Sequence, residues 1–200
     1  MKVKIKKNGK KKKYNVIESW SDVTLENWIK LIEIKEKITS EEALETINII
    51  SDIPKKLIKE MSIQDVAIIM KHLSNLQLQE NSSLHQIITI DGQQYGFHPN
   101  LEDLTLGEYA DIETMIQSGI KSKMPEIMAI LYRPIVEKEK DIYAIEAYDG
   151  NIRIRTEKMK KMSAEEVQGA LVFFWTFVTN FLMTMLSYLT ERTAQMIKTK

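Results

Sequence analysis

Histidine offers the most chemistry near neutral pH, and the chain has three, His72, His85 and His98. No two are four residues apart, and His-Glu-x-x-His does not occur, so their spacing predicts no zinc site. His98, followed by Pro99, reads as a strand-end residue. Carboxylates cluster at Glu102, Asp103, Glu108, Asp111 and Glu113, and again at Glu146 and Asp149. A carboxylate pair that divides general-acid and general-base roles needs its two groups held in contrasting environments. This spacing instead matches helix starts and a turn, where acids cap free backbone N–H groups and oppose the helix dipole. Asp149-Gly150-Asn151 is too short for a calcium loop. The sequence contains no cysteine, Gly-x-Gly-x-x-Gly, P-loop or Gly-x-Ser-x-Gly, which removes thiolate chemistry and the common phosphate cradles. No catalytic residue, cofactor or metal ligand is assigned, and the expectation is a non-enzymatic protein.

Charge is the second source of chemistry. The net charge is zero over 200 residues, but residues 1–13 hold eight lysines and no acid. The other residues carry 20 basic against 28 acidic groups, and only Arg133, Arg153, Arg155 and Arg192 are arginine. Lys10, Lys11, Lys12 and Lys13 are the candidate contacts for an anion or an acidic partner. The plain reading is a solvated strand edge that resists aggregation. An acidic protein surface and a nucleic acid are the two partners such a segment suits. With Tyr14 the only nearby aromatic and no arginine, base stacking or base readout is not indicated. Met1 leads into lysines rather than an apolar core, so no secretory signal is expected.

The elements that must position these groups follow from periodicity. Val3 and Ile5 alternate with lysines, Asn8-Gly9 suits a tight turn, and Tyr14 to Ile17 returns, predicting a β-hairpin. Thr24 then caps a helix whose Leu25, Trp28, Ile29, Leu31 and Ile32 form one stripe. Further helices are predicted at about 40–51 with Ser40 as cap, 54–60, and 62–76 with Ser62-Ile-Gln-Asp65 as an acidic capping box. Residues 77–84 read as a linker. A second hairpin is predicted over 87–97 around Asp91-Gly92. Helices follow from Thr105 to about Gln117, ended by Gly119, and from Lys123 to Arg133 with Pro125 in its first turn. Alternation on both sides of Asp149-Gly150 predicts a third hairpin within 137–157. Ser163-Ala-Glu-Glu166 is a capping box for the last helix.

Two segments share a pattern. Asp22-Val-Thr-Leu-Glu-Asn-Trp28 and Asp103-Leu-Thr-Leu-Gly-Glu-Tyr109 both read D-x-T-L-x-x-aromatic, and each follows a predicted hairpin. They arise either from a duplicated hairpin-plus-helices module or from two independent uses of one start signal. The expected fold class is α+β, mainly α. It comprises a module over 1–78, a second over 85–200, or both merged in one compact domain, with a long apolar carboxy-terminal helix.

That helix spans roughly Ser163 to Arg192. Leu171 to Thr190 contains no charged residue, enough for a membrane span by length alone. Thr176, Thr179, Asn180, Thr184, Ser187 and Glu191 recur at helical intervals, however, and a lipid-exposed span has no reason to keep a polar stripe. No membrane span is expected. At about 1.5 Å per residue the helix is about 45 Å long, more than a domain of this size usually needs. Its first half is expected in the core. Phe174, Phe177, Phe181, Met185 and Tyr188 are assigned to a partner interface, with self-association as one form of it.

The segments Phe97-His-Pro-Asn-Leu-Glu-Asp-Leu-Thr-Leu-Gly-Glu-Tyr-Ala-Asp-Ile-Glu113 and Ile130-Leu-Tyr-Arg-Pro134, followed by an apolar terminal helix, resemble small virion and assembly proteins of tailed bacteriophages. The likeness is to tail-assembly-chaperone-type sequences and those of crAss-like phages, and covers about 86–190. It implies a non-enzymatic structural, packaged cargo or tail and neck component. Such a component meets other phage proteins in the host cytoplasm during assembly, and in some cases stays in the virion. No site residue transfers through it, because it lies in packing and capping positions.

Overall fold

The computed structural model describes residues 1–7, 10–33, 39–76 and 83–198; the side chains of 6, 7, 10, 11, 181, 182 and 184–198 fall outside that description. Strands β1 (Lys2–Lys7) and β2 (Lys10–Asn15) pair antiparallel as expected. Their Asn8-Gly9 turn lies outside the described residues, as does most of the expected linker, 77–82. Helices α1 (Leu25–Ile32), α2 (Ser40–Ile50), α3 (Lys55–Ile58) and α4 (Ile63–Asn75) follow. The cap of α2 is Thr39, not Ser40. Thr39 Oγ1 accepts from Glu42 N and the Glu42 carboxylate returns to Thr39 N, a closed box that Ser40 has no acid three residues on to form.

The second half is built on a four-stranded antiparallel sheet in the order β3 (Ile87–Ile90), β4 (Gln93–Phe97), β5 (Tyr132–Glu139), β6 (Ile142–Ile145). Asp91 and Gly92 take positive φ of 51° and 80° in the β3–β4 turn, the mirror-type geometry that suits strand twist. Helices α5 (Leu106–Gln117) and α6 (Ile120–Leu131) connect β4 to β5, α7 (Arg153–Met159) follows β6, and α8 (Ala164–Lys198) is last.

Three expectations need correction here. The helix expected over Lys123 to Arg133 starts at Ile120 and stops at Leu131, so Pro125 is inside it and Tyr132-Arg133-Pro134 is strand. Pairing with β4 (Phe97 with Tyr132, Gly96 with Arg133) overrides the local helical pattern. The third hairpin exists, but turns at Lys140-Asp141 rather than Asp149-Gly150. Ile152 and Ile154 belong to the start of a helix, not to a return strand. Lys140 takes φ 55° in that turn, which the sequence does not advertise.

Two cores form. The smaller gathers Tyr14, Val16, Ile47, Ile50, Ile53, Leu57, Ile58 and Ile69. The larger joins the sheet's inner side chains to α6, the start of α8 and also Val23, Leu25 and Trp28 of the first half. Helix α1 therefore packs with the second module. Its N-cap Thr24 bridges the N-cap Ser163 of α8: Leu25 N donates to Met162 O at 2.7 Å and Ala164 N to Val23 O at 2.8 Å. The pattern shared by residues 22–28 and 103–109 is local structure in both places, a 3-10 turn followed by a Thr-capped helix. The two copies face different ways: Leu25 is fully buried and Leu106 is 84% exposed.

Candidate functional site

The most ionised interior site centres on Glu108. As the third residue of α5 it closes the capping box, its Oε2 accepting from Thr105 N and Thr105 Oγ1, both at 2.7 Å. Its Oε1 lies 2.8 Å from Arg133 Nη2 on β5, an ion pair without hydrogen-bond alignment, and 3.9 Å from His98 Nε2. All three side chains are buried. Burial, then the Arg133 charge, lowers the His98 pKa, outweighing the opposing pull of Glu108. Nearby, Arg155 of α7 approaches Glu146 at 3.4 Å, and the Tyr148 hydroxyl donates to Asp111. Desolvation, with the Asp111 contact, raises the Tyr148 pKa.

Capping alone accounts for Glu108 in the sequence, and nothing local marks it as counter-ion to a buried arginine. The one hint is Arg133 itself, an arginine inside an apolar run in a chain that has only four. Both Glu108 oxygens are engaged and the carboxylate is shielded from solvent. The chemistry the cluster supports is therefore attachment: it ties α5 to the sheet through paired charges. His72 and His85 lie elsewhere, His72 Nε2 within 2.8 Å of Ile17 O and His85 O accepting from Tyr132 OH. Among the described residues no three potential ligands converge on a metal position.

The first exposed candidate is α8. Its core-facing stripe is Ala164, Val167, Ala170, Phe174 and Val178, spaced three or four apart. Phe174 is 1% exposed and belongs to this chain's core, so its assignment to a partner interface is corrected. Phe177 is half-buried against the same core. Phe181, Met185 and Tyr188 have side chains outside the description, and by helical spacing fall on the continuation of that stripe. Val172, Phe173, Trp175 and Met183 are exposed, as are Thr176, Thr179 and Asn180, so the polar stripe is interleaved with apolar side chains. Phe173 is half held by an edge-on contact with Phe97, centroids 5.7 Å apart. Among the described residues no helix is long and apolar enough to cross a membrane.

The second exposed candidate is the β1–β2 hairpin. Val3 and Ile5 pack against the smaller core beside buried Tyr14. Alternation then sets Lys2, Lys4 and Lys13 on the outer face, all exposed. Lys12 is also exposed, its Nζ 5.4 Å from the Tyr14 ring centroid. Lys10 and Lys11 are in β2, with side chains outside the description. Compared with family models, curated proteins and solved structures, the chain matches none.

Proposed function

We propose that this chain is a non-enzymatic assembly protein of the tailed-bacteriophage type, a structural, packaged cargo or tail and neck component that works through protein–protein contacts. The observation that carries the reading is the continuity of α8. The stripe that seats the helix in the core ends, among described side chains, at Val178, yet the helix runs on to Lys198, about 30 Å further at 1.5 Å per residue. By helical spacing the sequence puts Phe181, Met185 and Tyr188 at the next positions of the series that includes 174 and 178. Exposed Phe173, Trp175 and Met183 add apolar area of the kind that marks an interface. The resemblance of 97–113 and 130–134 to phage assembly proteins supplies the class of partner, and the host cytoplasm and then the particle as the place of action.

The test is recovery of the tagged full chain from phage-infected cells. The expected result is co-purification with particles or with a tail or portal component, lost when Phe181 and Met185 are both changed to Asp. A chain that purifies as a monomer without any phage protein refutes the reading.

A further inference from the structure

We propose that the outer face of the β1–β2 hairpin is a sequence-independent binding site for the phosphate backbone of duplex nucleic acid. The register sets lysine against lysine: Lys4 opposes Lys13 and Lys6 opposes Lys11 at outer-face positions, while Lys7 opposes Lys10 at a position that alternation assigns to the other face. Like charges directly across an antiparallel pair destabilise it. An edge that needed only solubility is served equally well by lysine opposite glutamate, which removes that cost.

Elsewhere among the described residues Lys30, Lys55, Lys123, Lys158, Lys160 and Lys161 each form an ion pair with a carboxylate, whereas others, such as Lys56 and Lys121, do not. Among the described residues Lys4, Lys12 and Lys13 have no such partner, although acids outnumber bases by eight beyond residue 13. Lys4 and Lys13 thus stand opposed and exposed with no ion pair to a carboxylate among the described residues, and an external polyanion relieves their repulsion.

Geometry favours phosphate over protein carboxylates. Same-face residues on a strand repeat at about 6.6 Å and paired strands lie about 4.8 Å apart, giving a regular two-column lattice of point charges. A nucleic-acid backbone offers equally regular charge, whereas carboxylates on a protein are irregular. Lysine without arginine or stacking aromatics reads charge and not sequence.

The experiment is a salt titration of binding between the full chain and a 30-base-pair duplex of mixed sequence (about three helical turns), followed by fluorescence anisotropy. Affinity should fall log-linearly with salt, with a slope of about −0.9 per phosphate neutralised, and a second duplex of unrelated sequence should bind alike. Lys4→Gln with Lys13→Gln should weaken binding on the order of tenfold or more and flatten the slope by about 1.8. Lys4→Arg with Lys13→Arg should retain binding. Because the Gln pair removes a repulsion, its thermal midpoint should equal or exceed that of the parent. If the double variant folds poorly, each single variant should flatten the slope by about 0.9. No binding at 50 mM salt (about a 14 Å screening length), undiminished binding by the Gln pair, or displacement of the duplex by polyglutamate at lower charge concentration than by competitor DNA overturns the proposal. The last outcome assigns the face to an acidic protein.

Discussion

Gly169 gives the sharpest test of how α8 meets the segment entering β3. It lies within α8, where glycine costs about 1 kcal/mol relative to alanine, so a helix viewed alone predicts that Gly169→Ala stabilises. In the folded chain a Cβ at this position would stand 2.4 Å from Ser83 O and 3.0 Å from Ser83 C. The obstacle is main chain, not a side chain that can rotate away. Either the helix or the segment entering β3 must move by about 1 Å to restore a normal contact, and overpacking of this kind costs about 1–3 kcal/mol. The two effects leave a net loss of up to about 2 kcal/mol. Gly107, in the first turn of α5, is the internal control: its nearest neighbour to an added Cβ is Thr105 Oγ1 at 3.9 Å. Gly107→Ala should be neutral or stabilising by up to about 1 kcal/mol. Urea unfolding of the parent and both variants, compared at constant m-value, reads the difference. If Gly169→Ala gains stability as Gly107→Ala does, residues 83–84 do not lie against α8 and the close approach is refuted.

Three further outcomes are expected. Glu108→Ala removes a cap and strands Arg133 as a buried unpaired charge, a loss of about 3–5 kcal/mol by denaturant titration; Glu108→Leu with Arg133→Met should recover most of it, and an equally unstable double variant contradicts the pairing. His98, whose pKa is depressed, binds its proton more readily unfolded than folded. Stability should therefore fall as pH drops below 6.5, by at most about 1.4 kcal/mol per pH unit until the folded pKa is passed, and His98→Gln should remove that part of the pH profile. Hydrogen bonds from Lys158 and then Lys161 hold the Asp91 carboxyl down at about 2, so its contribution is complete above 3.8 and lost as pH falls through about 2. Asp91→Asn tolerates the positive φ of the turn, and the stability gap between it and the parent should close over that interval in circular-dichroism melts; a gap constant with pH refutes the ion pairs.

Much of the local structure was legible because it depends on groups a few residues apart. Thr24, Ser62, Thr105 and Ser163 cap the helices their spacing predicts, since a hydroxyl reaching an N–H three residues on needs no tertiary partner. Asp91-Gly92 turns where its φ tolerance allows. The errors fall where distant contacts outvote local preference. Tyr132-Arg133 continues the predicted helix but becomes strand because β4 pairs with it. The turn between β5 and β6 forms at Lys140-Asp141, where register with Ile135 to Glu139 sets the fold-back, and not at the better turn sequence Asp149-Gly150.

The candidate surfaces divide the same way. Sequence alone determined that residues 1–13 carry concentrated positive charge and that α8 has a long apolar stripe, because composition and period need no third dimension. The Asn8-Gly9 turn position also sets Lys4 opposite Lys13, since a two-residue turn fixes hairpin register. Only the tertiary structure decided that Phe174 is core and that Glu108 neutralises a buried arginine. Those two facts depend on which element lies against which, and that is chosen by the sum of many long-range contacts rather than by any short run of residues.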